Sequence, residues 1–157
     1  MKKISSVISL SFSVVFLLVF SFPSVCFSAQ PDSKEWESFD KGWYYNKKNV
    51  TKSSNIITVW TYSIVTDDVR KKRIDSINQQ EKSKKYRNFD HFTLLNKFDC
   101  QKKMTKLEEV IDYDDNGKVL NRIINKNSQW GFIVPQSAME TLCNKLCVTP
   151  MKPLKKK

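Results

Sequence analysis

IITVWTYSIV, residues 56–65, joins β-branched and aromatic side chains without a glycine or a proline to interrupt them. That composition predicts a β-strand. Alternation puts Ile56, Thr58, Trp60, Tyr62 and Ile64 on one side and Ile57, Val59, Thr61, Ser63 and Val65 on the other. Both sides are semi-apolar, so the strand is expected inside a sheet with cover on each face.

The neighbouring sequence supplies partners for it. Trp36, Phe39, Trp43 and Tyr45, with Gly42 between them, suit two short strands. Residues 89–100 predict a second long strand with Phe92, Leu94, Asn96, Phe98 and Cys100 on one side. Residues 107–113 and 118–124 flank Asp114-Asp115-Asn116-Gly117, and Asn-Gly between two β-rich runs predicts a hairpin. DYDDNGKV also has the offsets of a calcium loop at Asp112, Asp114, Asn116 and Gly117. The bidentate glutamate that closes such a cage would fall at the twelfth position, here Ile123. The hairpin explains the same residues without an ion.

Residues 67–87, DDVRKKRIDSINQQEKSKKYR, break the pattern. They are expected to form an exposed, strongly basic excursion, either a solvated helix or a long loop, with a weak helical stripe at Val69, Arg73, Ile74 and Ile77.

Near the C-terminus, Ser137 and Glu140 form a capping box. The hydroxyl would accept from the Glu140 amide and the carboxylate from the Ser137 amide. The helix that follows would carry Ala138, Met139, Leu142, Cys143, Leu146 and Cys147 on one apolar stripe. The fold class is therefore α+β, an antiparallel β-sheet with a C-terminal helix packed on it.

The N-terminus assigns the compartment. Lys2 and Lys3 precede an apolar run over residues 8–22 and small residues around Cys26, Ser28 and Ala29. This is the layout of a secretory signal peptide, residues 1–29. Pro23, Ser24 and Val25 do not make a lipobox before Cys26, so ordinary cleavage after Ser28 or Ala29 is expected. A single domain follows over residues 30–149, then a basic tail over 150–157. Without Lys2 and Lys3 the net charge falls from +11 to +9. Such a surplus favours acidic macromolecules, either a matrix protein or a polysaccharide, or an anionic membrane surface. An exported protein meets little nucleic acid, so no nucleic-acid partner is expected. The candidate contacts are Arg70, Lys71, Lys72, Arg73, Lys82, Lys84, Lys85 and Arg87, with Lys152, Lys155, Lys156 and Lys157 in the tail.

Cys100, Cys143 and Cys147 remain after export, and in an oxidising compartment thiols pair. Cys143 and Cys147 could share zinc only with Cys100 and the single histidine, His91, which would sit on opposite faces of a strand; no metal is expected. A C-x-x-C redox pair is absent. A disulfide from Cys100 to the C-terminal helix remains, and spacing does not choose between Cys143 and Cys147. The odd cysteine would be free or would pair between chains in a homodimer. Replacing Cys143 by serine is expected to do little.

An enzyme needs a nucleophile with a base, paired carboxylates or a phosphate loop. One histidine, three glycines and no G-x-S-x-G or G-x-x-x-x-G-K motif offer none of these, and no cofactor is implied. The adjacent acids Asp67-Asp68, Glu108-Glu109 and Asp114-Asp115 would face opposite ways on a strand.

Taken in order, Trp36, Tyr44-Tyr45, Val59-Trp60, Phe98-Asp99-Cys100, Tyr113-Asp114 with Gly117, Trp130, Ile133, Pro135, Ser137 and Cys147 form a collinear set. In this set the chain resembles the surface-adhesin protein E family, small envelope proteins of Gram-negative bacteria. The resemblance implies a helix tied to the sheet by Cys100–Cys147, with Cys143 spare. It also implies a non-enzymatic surface adhesin that binds host matrix proteins such as laminin and vitronectin through lysines. The alternative is a periplasmic structural or accessory protein with no host ligand.

Overall fold

In a computed structural model of the protein the described residues are 30–77 and 80–148, without the side chains of Gln80 and Lys82. The strands are β1 (Trp36–Asp40), β2 (Trp43–Asn46), β3 (Thr51–Ser53), β4 (Ile56–Ile64), β5 (Phe89–Asp99), β6 (Met104–Asp114), β7 (Val119–Ile124) and β8 (Gly131–Phe132). The helices are α1 (Asp67–Asp75), α2 (Gln80–Lys85) and α3 (Ala138–Val148), and a 3-10 turn covers Tyr86–Asn88. One antiparallel sheet runs β1-β2-β4-β5-β6-β7, with β3 on β4 and β8 on β6. The 56–65 strand is interior, as its composition predicts: β4 pairs with β2 and β3 along one edge and with β5 along its whole length on the other.

Both helical elements pack on one face of the sheet. Over the other face no helix lies among the described residues, so the expected cover on each side of β4 is met on one side only. Ile57 and Val59 of β4 and Phe98 of β5 point at α3, where Tyr45, Leu142, Cys143 and Leu146 complete the main core. Ile57, Val59, Phe98 and Leu142 are wholly shielded from water. Burying an aliphatic or aromatic side chain contributes about 1.5–3 kcal/mol, so this cluster is the chief reason the helix docks. Further along the sheet, Val65, Tyr86 and Phe89 form a second cluster with Ile74, Ile77, Phe92 and Leu120.

The second cluster corrects the expectation of a merely solvated 67–87 excursion. The segment folds into α1, α2 and the 3-10 turn, and it supplies Ile74, Ile77 and Tyr86 to a core. Its start is fixed by Thr66, whose hydroxyl accepts from the Val69 amide. Val69, on the expected stripe, remains exposed.

The hairpin forms at the expected place. Asp114 Oδ1 accepts from the amides of Asn116 and Lys118 at 3.0 and 2.8 Å, and Gly117 takes φ +76°, which a side chain would strain. At α3 the Ser137 hydroxyl accepts from the Glu140 amide at 3.3 Å, but the Glu140 carboxylate accepts from Gln136, not Ser137, at 2.7 Å. Gln136 lies at φ +61°, which swings its own amide toward the carboxylate.

Candidate functional site

The basic segment is held on the sheet by buried charge. Asp112 of β6 is 1% exposed. It alternates with Val110 on the side that faces α1, so its carboxylate needs a partner there. Arg73 reaches it from α1, with Nη2 at 2.9 Å from Oδ2 and 3.2 Å from Oδ1, and the Tyr86 hydroxyl donates to Oδ2 at 2.8 Å. The Arg73 guanidinium also lies over the Tyr86 and Phe89 rings, 5.9 and 6.0 Å from their centroids. Burial, then the adjacent carboxylate, pushes the Tyr86 phenol well above its ordinary range. Arg70 donates from Nε to the Phe89 carbonyl at 2.8 Å and also pairs with Asp67.

Two of the expected ligand contacts are thus spent internally: Arg70 and Arg73 tie the insertion down. Lys71, Lys72, Lys84, Lys85 and Arg87 are exposed and have no ion-pair partner among the described residues. Packing of α1 beside α2 and the 3-10 turn brings the two groups of cations onto one insertion, and Lys85 borders the same depression as Arg73, Ser76 and Tyr86. The Lys82 side chain and Lys152, Lys155, Lys156 and Lys157 lie outside the described residues, as do the expected signal peptide and Cys26.

Asp112 and Tyr86 are the functional supports that sequence reasoning missed. A carboxylate in line with Val110 on an inward-facing row was the available signal, since such a group is not buried without a cation. The same contacts remove Asp112 from any calcium loop, and amides occupy Asp114 Oδ1.

Cys100 and Cys147 are bonded, with Cα atoms 5.5 Å apart. Cys143 is free and buried, and burial pushes its thiol up from the ordinary range. Its Sγ lies 3.6 Å from the Cys147 Sγ. Lys145, on the same helix, reaches Glu37 of β1 at 2.6 Å and lies over the Tyr45 ring.

On the opposite face, His91 stacks between Tyr62 and Tyr113 at centroid distances of 4.6 and 4.7 Å, and Trp36 meets Tyr62 edge-on. Asp90 holds the His91 Nδ1 at 2.9 Å. The single histidine is built into the sheet surface. Trp36, Trp43 and Trp60 are all half-buried, and Trp130 is exposed while Ile133 packs against the main core.

Comparison with known proteins agrees with this architecture. The family model described as surface-adhesin protein E matches residues 34–148. Two crystal structures of Haemophilus influenzae protein E superpose with TM-scores of 0.52 and 0.51 at 12% and 9% identity. Each match covers 76% of this chain, and 89% and 91% of the respective solved chains. At that identity the likeness is one of fold. No curated protein matches the chain. With the family model spanning sheet, insertion, disulfide and terminal helix, the chain belongs to the surface-adhesin protein E family.

Proposed function

We propose that this protein is a non-enzymatic surface adhesin that holds an acidic macromolecule, either a matrix protein or a sulfated polysaccharide, through the outer side of the basic insertion. The observation that carries the reading is the division of labour among its cations. Arg70 and Arg73 fasten the insertion to the sheet, and Lys71, Lys72, Lys84, Lys85 and Arg87 are left exposed on a supported platform. Export by cleavage of residues 1–29 would present that platform outside the cell, and Lys152, Lys155, Lys156 and Lys157 would add charge to the same partner. An anionic membrane surface would use the same charges with less geometric selection.

Exposed charges are screened beyond about 8 Å at physiological ionic strength. Binding to immobilised heparin should therefore weaken steeply as salt rises, and charge reversal at Lys84 and Lys85 should weaken it further at low salt. Salt-independent binding would rule out the electrostatic account. Protease shaving of intact cells tests the location separately. Peptides from residues 70–87 released from unbroken cells support a surface adhesin; release only after the outer membrane is breached would make the protein periplasmic.

A further inference from the structure

Between α1 and the start of α3 no helix covers the sheet among the described residues. Two depressions meet there and share Leu94: one of about 390 Å³ bordered by Trp43, Leu107, Ala138 and Met139, and one of about 380 Å³ bordered by Phe92, Val110, Val69 and Lys72. Together they form a trough across the helix-bearing face, floored by half-buried apolar side chains. Both depressions are open to solvent, and their exposed surface is mainly apolar, as is usual where small ligands bind.

The charge in the trough is placed at one end. Arg73, on its wall, is committed to Asp112, but Lys72 has no ion-pair partner among the described residues. The α3 end presents Ala138 and Met139, a small residue and an adaptable one. β5 is hydrogen-bonded to a neighbour on each side. The outer edge of β6 is paired with β7 and β8 except at residues 106–108, where the Glu108 carbonyl takes the Asn125 amide, so among the described residues little floor backbone is open to a peptide. An extended peptide would have to bury unpaired amides and carbonyls there, which costs free energy; a hydrocarbon chain has none to satisfy.

We infer that the trough binds a single-chain anionic amphiphile, a monomeric long-chain carboxylate, with the chain along Leu94 toward Ala138 and Met139 and the head group at Lys72. Lys72 is common to this site and to the platform proposed for acidic macromolecules; the apolar remainder of the trough is not part of that platform.

The test is displacement of a fluorescent polyene fatty acid from the purified full-length exported protein by C8, C12 and C16 carboxylates below their micelle concentrations. The expected result is saturation at one per chain, with affinity rising by up to about fourfold per added methylene. Dodecyltrimethylammonium should not compete. Lys72→Glu should weaken carboxylate binding tenfold or more. Ala138→Trp, which fills the α3 end, should abolish C16 binding while leaving salt-sensitive heparin binding intact. If Ala138→Trp fails to fold, the exposed Lys72→Glu carries the test alone. Three outcomes would overturn the inference: no saturable binding, equal competition by the cationic amphiphile, or uptake only by anionic phospholipid vesicles. A fourth would do so as well. If gel filtration shows a dimer that Ala138→Trp dissociates, and no carboxylate binds, the trough is covered by a second copy.

Discussion

Cutting the Cys100–Cys147 bond should cost more than any other single change to the covalent frame, and the cost can be worked from its loop. The bonded residues are 47 apart in sequence. In the chain-entropy model a loop of that length removes about 14 cal/mol/K from the unfolded chain, or about 4 kcal/mol at 25 °C. Cys143 complicates the experiment. Its sulfur is 3.6 Å from that of Cys147, so in a Cys147→Ser protein it could take over the bond to Cys100. The clean comparison is therefore Cys143→Ala against Cys143→Ala/Cys147→Ser. The structure also revises what to expect at Cys143 itself. It is 1% exposed within the main core, so serine there would bury a hydroxyl among apolar groups at a cost of about 1–3 kcal/mol. Alanine avoids that and should lose only about 1 kcal/mol of packing. For a domain of this size each kcal/mol moves Tm by about 4 °C. The double variant should melt about 15 °C below Cys143→Ala, and its urea m-value should rise because the unstapled unfolded chain exposes more surface. A difference under about 1 kcal/mol between the two proteins, or a Cys143–Cys147 bond in a non-reducing peptide map of the wild type, would refute the reasoning.

Three further outcomes follow from named contacts. Arg73→Leu strands the Asp112 carboxylate. Because the Arg73 side chain is itself 38% exposed, the loss should sit at or below the low end for a broken buried pair, about 2–3 kcal/mol by urea unfolding, and Asp112→Asn in the same background should recover part of it. Tyr45 is pushed up to about 12 by burial, with Glu37 adding to the effect, and Tyr62 and Tyr86 are pushed higher still. These phenols keep their protons in the folded state after the unfolded chain has begun to lose its own near pH 10. Their contribution is complete below that pH and is lost as pH rises through the folded values. Phenolate absorbance at pH 11 should therefore jump when the protein is unfolded with urea. At the acid end the hydrogen bond from Lys145, followed by its charge, holds the Glu37 carboxyl below its usual range. A depressed carboxyl contributes above its unfolded pKa and loses that contribution as pH falls through the folded one. The stability gap between wild type and Glu37→Gln, a few tenths of a kcal/mol for a half-exposed pair, should close between pH 5 and pH 3.

The long strands, the hairpin and the terminal helix were legible because each is written in local alternation or helical spacing. β4 and β5 carry apolar rows that face α3, and the Asp114–Gly117 turn uses a glycine that its backbone angle requires. Residues 67–87 were not legible for a physical reason. Their helices have almost no amphipathic pattern, and they stay folded through Tyr86, Ile74 and an ion pair between Arg73 and Asp112, partners far apart in sequence. Local periodicity contains no record of such a contact. The candidate site was half legible: composition identified the basic segment, and the fold alone separated the cations that fasten it from those it displays.

The sequence by itself determined a sheet with a terminal helix, because strand alternation and capping act within a few residues, and it supplied the thiols that staple the two. Spacing did not choose between Cys143 and Cys147, since both lie on the same apolar stripe four residues apart; the collinear family residues pointed to Cys147, and the structure agrees. Docking of α3 made that choice. It turned Cys143 into the core with Leu142 and Leu146 and brought the Cys147 Cα within 5.5 Å of that of Cys100. The same docking, with α1 held on the far end of the sheet, left the trough between them uncovered by the described residues. The opening is a consequence of where two helical elements come to rest on one sheet, and no stretch of the chain encodes it alone.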